Sequence, residues 1–349
     1  MKLKDRIANE TALEEAVSLQ LHGIVAEVRR GVGGLEADFL KYRRRQRLGF
    51  YGLVGAFVLF YLSAELGILR QLDNATLILG IVFFFLFLIL AVRFMVTGLG
   101  VVQQFHAGVD RILYEKTFSL LGLEGKWFPQ PIPKNIWEQL RSYGSHTEMQ
   151  RTLELLRVSE AITHPYNRTK IDDAFELNVG GRTLYGCELD LKYETGSGKN
   201  RRTIPVFSGL FISYPLQRPL EGRTFVTNNN DASGFGHSAF LGDKDERLRE
   251  TELEWNEFEE LLRVTTNNEV EARYILTTDF MHDLYDWWNG GPSARLSFIG
   301  STMTLILSAK KIRFGDTIEK ISDEEIKEYI LTIAKPLLHV VHLVQDVRL

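Results

Sequence analysis

The sequence predicts an α+β protein: an N-terminal amphipathic helix, a two-helix transmembrane hairpin, and a cytoplasmic domain in which a mainly antiparallel sheet packs with helices, a long C-terminal one among them. Three observations carry this. Two apolar runs, 48–68 and 77–92, stand close together near the N-terminus; a period-two alternation begins near Phe175; and a four-three apolar spacing runs through the last 25 or so residues. The domain boundaries that follow are 1–47, a cytoplasmic helical segment; 48–96, the hairpin, with spans at about 48–68 and 75–95; 97–133, a juxtamembrane helix and Pro/Gly connector; and 134–349, the α+β domain.

In the N-terminal segment Val17, Leu21, Ile24 and Val28 step by four, three and four, which makes one apolar helical stripe. The stripe can dock on the chain's own domain or pair with a second subunit. Gly31 to Gly34 breaks this helix, and a second one starts at Leu35. Lys41, Arg43, Arg44, Arg45 and Arg47 then crowd the entry to the first apolar run, against Arg70 alone in the loop between the runs. Basic residues are retained on the cytoplasmic side, so the expected topology has both termini in the cytoplasm. The polar stretch before the first run is too long for the charged end of a cleavable signal, which makes that run an anchor. The bilayer is thus the first expected partner.

Residues 101–121 read as a helix, and 122–133, with three prolines, as a connector without regular structure. Residues 136–143 and 149–157 read as short helices. Strands are expected at 175–179 and 183–193 around Gly180–Gly181, then within 203–216 and 223–228. A polar, Gly-rich loop fills 227–249. Helices follow at 251–262 and 272–288, strands on either side of Gly300–Ser301, and a last helix from Asp323, N-capped by Ser322 with Glu325 three residues on and interrupted by Pro336.

Charge and cysteine exclude several classes of function. Through Arg93 lie 12 of the 41 basic and 9 of the 45 acidic residues, which leaves 29 basic and 36 acidic residues for the rest. An acidic domain is a poor nucleic-acid binder, so no such partner is expected. One cysteine, Cys187, permits neither an internal disulfide nor a thiolate metal cage.

No catalytic or cofactor-binding motif is legible. Gly196-Ser197-Gly198-Lys199 lacks the flanking residues of a phosphate loop and reads as a turn. Asp279, His282 and Asp286 fall at helical spacings of three and four, so they could hold a metal; the alternative is a solvated face opposite an apolar one. His339 and His342 lack the spacing and the glutamate of a zinc helix. Trp287 and Trp288 cannot both face inward from one helix by spacing alone, so one is expected under another element or on a partner surface.

Four blocks give a resemblance. Phe207, Gly209, Leu210 and Phe211 stand in the first, Gly222 to Val226 form the second, and Leu296 to Phe298 the last. The most specific block carries Glu271, Ala272, Ile275, Leu276, Thr277, Phe280 and Met281. Together they resemble the bacterial membrane proteins grouped as domain of unknown function family 3137, over roughly residues 45–310. The resemblance implies bacterial origin, membrane anchoring and one cytoplasmic α+β domain, and it supplies no catalytic residue. The expected function is a membrane-anchored protein-interaction or regulatory module, with a protein partner or self-association; the alternative is a membrane-bound enzyme, such as a metal-dependent hydrolase using Asp279, His282 and Asp286.

Overall fold

Gly33 takes a left-handed backbone, φ +50°, between α1 (Glu10–Val32) and α2 (Leu35–Glu65), so the glycine run ends one helix and starts the next as its conformational freedom predicts. The computed structural model describes residues 9–65, 82, 84–89, 93, 99–128, 146–162, 164–228, 248–288, 294–308, 318 and 320–347. The expected short helix at 136–143, most of the second span at 75–95 and most of the loop at 227–249 lie outside these residues. Among the described residues no helix is long and apolar enough to cross a membrane.

The chain divides into two compact units, 27–109 and a larger one formed by 1–26 with 110–349. In the smaller unit the rings of Phe39 on α2 and Phe105 on α3 (Leu99–Leu120) stack at 4.3 Å, and the Arg43 guanidinium lies over Phe39. Val28 and Val32 of α1 are buried there as well.

The larger unit is built on a nine-stranded sheet whose neighbours are all antiparallel, in the order β1-β2-β3-β4-β9-β8-β5-β7-β6. β2 (Arg168–Val179) and β3 (Arg182–Thr195) form the expected hairpin, closed by Gly180 and Gly181 at positive φ. β4 (Arg202–Pro215), β5 (Arg223–Asn228), β8 (Ala294–Ile299) and β9 (Thr302–Ser308) also stand where the alternation placed strands.

Three elements depart from the sequence reading. β1 (Glu124–Phe128) lies inside the stretch read as a connector; its backbone pairs with β2, and that pairing outweighs the glycine and the nearby prolines. The helix expected at 251–262 shrinks to α5 (Asn256–Leu261), preceded by the two-residue β6 (Arg249–Glu250). β7 (Leu262–Thr266) begins at the last residue of that expected helix and runs through the link before the next one, where its ladder with β5 satisfies the backbone groups. The single helix expected at 272–288 is two, α6 (Glu269–Ile275) and α7 (Thr278–Trp288), with the Thr277 hydroxyl accepting the Phe280 N–H at the second start.

α4 (His146–Ser159) and α8 (Asp323–Asp346) complete the unit. α8 buries Ile326, Ile330, Ile333, Leu337, Val340 and Val344, the stripe read from the sequence. Ser322 caps it, its hydroxyl accepting the Glu325 N–H at 3.3 Å. Ser322→Ala should lower stability by about 1 kcal/mol, read as an earlier midpoint in a urea melt; an unchanged midpoint would show that solvent replaces the cap. The N-terminal half of α1 docks within this unit: Leu13 and Val17 are buried, and Lys335 on α8 reaches Glu10 at 3.0 Å and Glu14 at 2.6 Å.

Candidate functional site

The sheet's one irregularity in β2 creates the most unusual chemistry in the described chain. Register shifts between Asp172 and Phe175, and Asp173 takes φ +44°, a left-handed conformation that aspartate tolerates better than most residues. The bulge sets the Asp173 carboxylate beside β1 and α3. There the Trp127 indole N–H donates to Asp173 Oδ1 at 3.2 Å, and the Trp127 ring stacks on the fully buried Tyr114 at 5.4 Å. Asp110, one turn before Tyr114 on α3, accepts the Tyr329 hydroxyl of α8 at 2.7 Å.

Both carboxyls are held far above the usual range. Burial pushes Asp110 up to about 6; the Tyr329 hydrogen bond opposes this and the Asp172 charge adds to it. Burial pushes Asp173 up to about 7, reinforced by the charges of Asp110 and Asp172 and opposed by hydrogen bonds from the Trp127 indole and the Tyr114 hydroxyl. Burial, and then the acids around them, also drive the Tyr114 and Tyr329 phenols well above their ordinary value. Burial is the first cause in both, and it favours the protonated form of each carboxyl. Among the described residues no group of three or more His, Cys, Asp or Glu could hold a metal ion.

As an adjacent pair in the sequence, Asp172 and Asp173 read most simply as solvated charge. No spacing signal could have found this site, because a bulge is invisible in residue order and Tyr329 lies 219 residues from Asp110.

The residues singled out from sequence take other roles. Asp279, His282 and Asp286 lie on the exposed face of α7, and the His282 ring packs on Trp255 at 4.4 Å, which accounts for it by stacking. Trp287 and Trp288, candidates for a partner surface, are both buried. Different neighbours cover the two: Trp287 stacks on His339 at 5.5 Å, and the Trp288 indole N–H donates to Asn228 at 2.6 Å. Cys187 is buried within 3.9 Å of the Thr152 hydroxyl, and burial pushes its thiol up to about 12, the behaviour of an inert core cysteine. The Gly196 to Lys199 stretch is a turn closing β3 on β4, with Gly196 at φ +81°.

The motif blocks are scaffold. Glu271 on α6 accepts the backbone N–H of Gly222 at 2.7 Å and of Glu221 at 3.1 Å, which ties the second block to the third. Phe207, Leu210 and Phe211 of β4, and Ala272, Ile275, Leu276 and Phe280, are buried core positions. Thr277 caps α7, while Gly209 sits in the ladder between Leu189 and Ser308. Met281 is half-buried on α7.

A protein family described as "Protein of unknown function (DUF3137)" matches residues 205–349. The resemblance read from the sequence is shown over that region, which contains all four blocks; the match begins well after the hairpin that the reading had included. No curated protein matches the chain. Among solved structures, the crystal structure of the mycobacterial trehalose monomycolate transport factor A, TtfA, aligns at 8% identity with a TM-score of 0.28, covering 69% of this chain and 95% of that one.

Proposed function

We propose, taking the family match of residues 205–349 as premise, that the chain is a bacterial inner-membrane protein whose hairpin fixes the α+β domain at the cytoplasmic face, where that domain acts as a protein-interaction or regulatory module. One observation carries the anchoring: α2 presents Leu48, Phe50, Tyr51, Phe57 and Tyr61 outward, with Leu48 61% and Phe57 65% exposed. Phe85 and Ile89 of the second run are exposed in the same way. Apolar surface of this extent is unfavourable in water by roughly 25 cal/mol per Å² and is solvated by hydrocarbon. Lys41, Arg43, Arg44, Arg45 and Arg47 lie directly before it, which supports a cytoplasmic entry. The interaction role is supported by an acidic domain whose motif residues serve as scaffold and by the His282 ring resting on Trp255.

The protein is expected to stay in the membrane pellet after alkaline carbonate extraction. A cysteine appended at the C-terminus should react with a membrane-impermeant maleimide only after the cells are opened, since Cys187 is buried. Release by carbonate, or labelling of intact cells, would overturn the topology. Capture from mild detergent at native expression should return a specific partner or a second copy, lost when residues 146–349 are replaced by an unrelated domain. Recovery of a lone monomer would remove the interaction role.

A further inference from the structure

The five basic residues at 41–47 of α2 do not share one role. Phe39 and Tyr42 are buried, and Phe39 stacks on Phe105. Arg43 turns to that side, its guanidinium 5.5 Å from the centre of the Phe39 ring. Lys41, Arg44, Arg45 and Arg47 are exposed instead, and none of these four forms an ion pair among the described residues. The acids of α2 are Glu36, Asp38 and Glu65, so no carboxylate stands within the basic stretch to neutralise it.

Helical spacing joins the exposed cations to the exposed apolar surface that follows. Leu48 stands four residues after Arg44 and three after Arg45, and Tyr51 four after Arg47, the separations that make neighbours on a helix. Leu48 and Tyr51 are both more than half exposed, and Val54, Phe57, Val58 and Tyr61 carry the apolar surface onward, away from the cations. At about 1.5 Å per residue, Arg44, Arg45 and Arg47 lie about 6, 4.5 and 1.5 Å before Leu48 along the axis. Side chains lean toward a helix N-terminus, which sets the guanidiniums a little further back. A headgroup layer is about 5–7 Å thick on each side of the hydrocarbon, so a bilayer whose hydrocarbon begins at Leu48 puts its phosphates level with these three arginines. A free phosphate would meet the guanidiniums and leave Leu48 and Tyr51 in water. A phospholipid satisfies both with one molecule.

We propose, resting on the anchored reading of α2 given above, that Arg44, Arg45 and Arg47 form a binding site for the headgroup of anionic phospholipids, whose acyl chains lie on Leu48 and Tyr51. Guanidinium presents paired N–H donors in a planar fork that matches two phosphate oxygens. Zwitterionic lipid offers the same phosphate, but its own cationic group competes with the arginines, so the site selects lipids of net negative charge. The arginines thus do more than orient the chain: they choose its lipid neighbours. Arg43, held over Phe39, stays outside the site.

Spin-label electron paramagnetic resonance tests this on the full chain reconstituted in phosphatidylcholine vesicles, with trace spin-labelled phosphatidylglycerol or phosphatidylcholine as the probe. The motionally restricted fraction should show phosphatidylglycerol preferred about fivefold at low salt, the effect of one basic residue on an anionic headgroup. In Arg44→Gln/Arg45→Gln/Arg47→Gln the preference should fall to under about twofold. No preference in the native protein, or one that the triple variant keeps, would overturn the proposal. Should the triple variant fail to fold, salt at about 1 M decides on the native protein: it screens exposed charges, so the preference should disappear, and a preference that persists overturns the site. Flotation of the same vesicles keeps the two readings apart. Protein that floats without lipid preference removes this site and leaves the anchor, whereas protein that stays behind removes the anchor and this site with it.

Discussion

Glu271→Ala is expected to destabilise the C-terminal unit by about 2 kcal/mol, because one carboxylate satisfies two backbone donors, at 2.7 and 3.1 Å, across a tight approach of two motif blocks. The value sits toward the lower end for charge-assisted bonds because the Glu221 N–H is solvent-exposed and water can replace part of what is lost. The surrounding contacts explain why the approach is tight. Asn267 Oδ1 accepts the Arg223 N–H at 2.7 Å, the Asn268 side chain caps α6, and the hydroxyls of Thr224 and Thr266 meet at 2.9 Å. A Cβ on Gly222 would stand 2.5 Å from Asn268 Cβ and 2.9 Å from Glu271 Oε2, so Gly222→Ala should cost about 1–3 kcal/mol by forcing the same junction apart. Urea melts read both, and the double variant should lose less than the sum, since each change breaks the same joint. Strict additivity, or a midpoint unmoved by Glu271→Ala, would show that the clamp holds nothing. Glu271→Gln keeps an acceptor and should recover part of the loss.

Asp173→Asn should make the protein more stable at about pH 8 and leave it unchanged at about pH 4, with the gap opening between them. An acid whose folded-state value is raised binds its proton in the folded chain over a range where the unfolded chain has released it. Stability therefore falls as pH rises from the ordinary 3.8 toward about 7, and the loss is complete above that. Asparagine removes this slope and keeps an oxygen for Trp127. It also suits the φ +44° backbone, so a stabilised variant of a few kcal/mol at most is expected, not a strained one. Glu10 and Glu194 have the opposite sign. For Glu10, burial alone would raise the value, but His339 and Lys335 more than offset it; for Glu194, Arg168 and Arg201 hold it down. Their stabilisation is present above about 4.5 and lost as pH falls, so they leave the neutral range to the Asp110 and Asp173 pair. Thermal melts across pH for the native protein and the variant measure the effect, and parallel curves would refute it.

The architecture was legible where side chains speak locally. The break at Gly33, the hairpin at Gly180–Gly181 and the capped C-terminal helix all stand at the residues whose backbone freedom or capping chemistry announces them. Legibility failed where a partner strand decides. Residues 124–128 look like connector until β2 supplies their hydrogen bonds, and 263–266 read as a link between two helices until β5 claims them. For the tryptophan pair the sequence left open cover by another element or a partner surface, since whether an indole is covered depends on His339 and Asn228, more than fifty residues away along the chain. The acid pair was the hardest to foresee. Its two carboxylates and two phenols come from three elements, and one of them is aimed by a bulge that no composition rule foretells.

The boundary of the family match has a consequence of its own when laid on the sheet. It begins at residue 205, three residues into β4, yet β4 pairs on one side with β3, from the unmatched region, and on the other with β9, from the matched one. The matched segment thus carries six strands, β4 to β9, of a continuous nine-stranded sheet, and severing it there would bare a long run of unsatisfied strand backbone, the template for sticky edge-to-edge association. The boundary of the match and the boundary of what can fold as a sheet therefore fall at different places in this protein, with β3 covering the edge that the match leaves open.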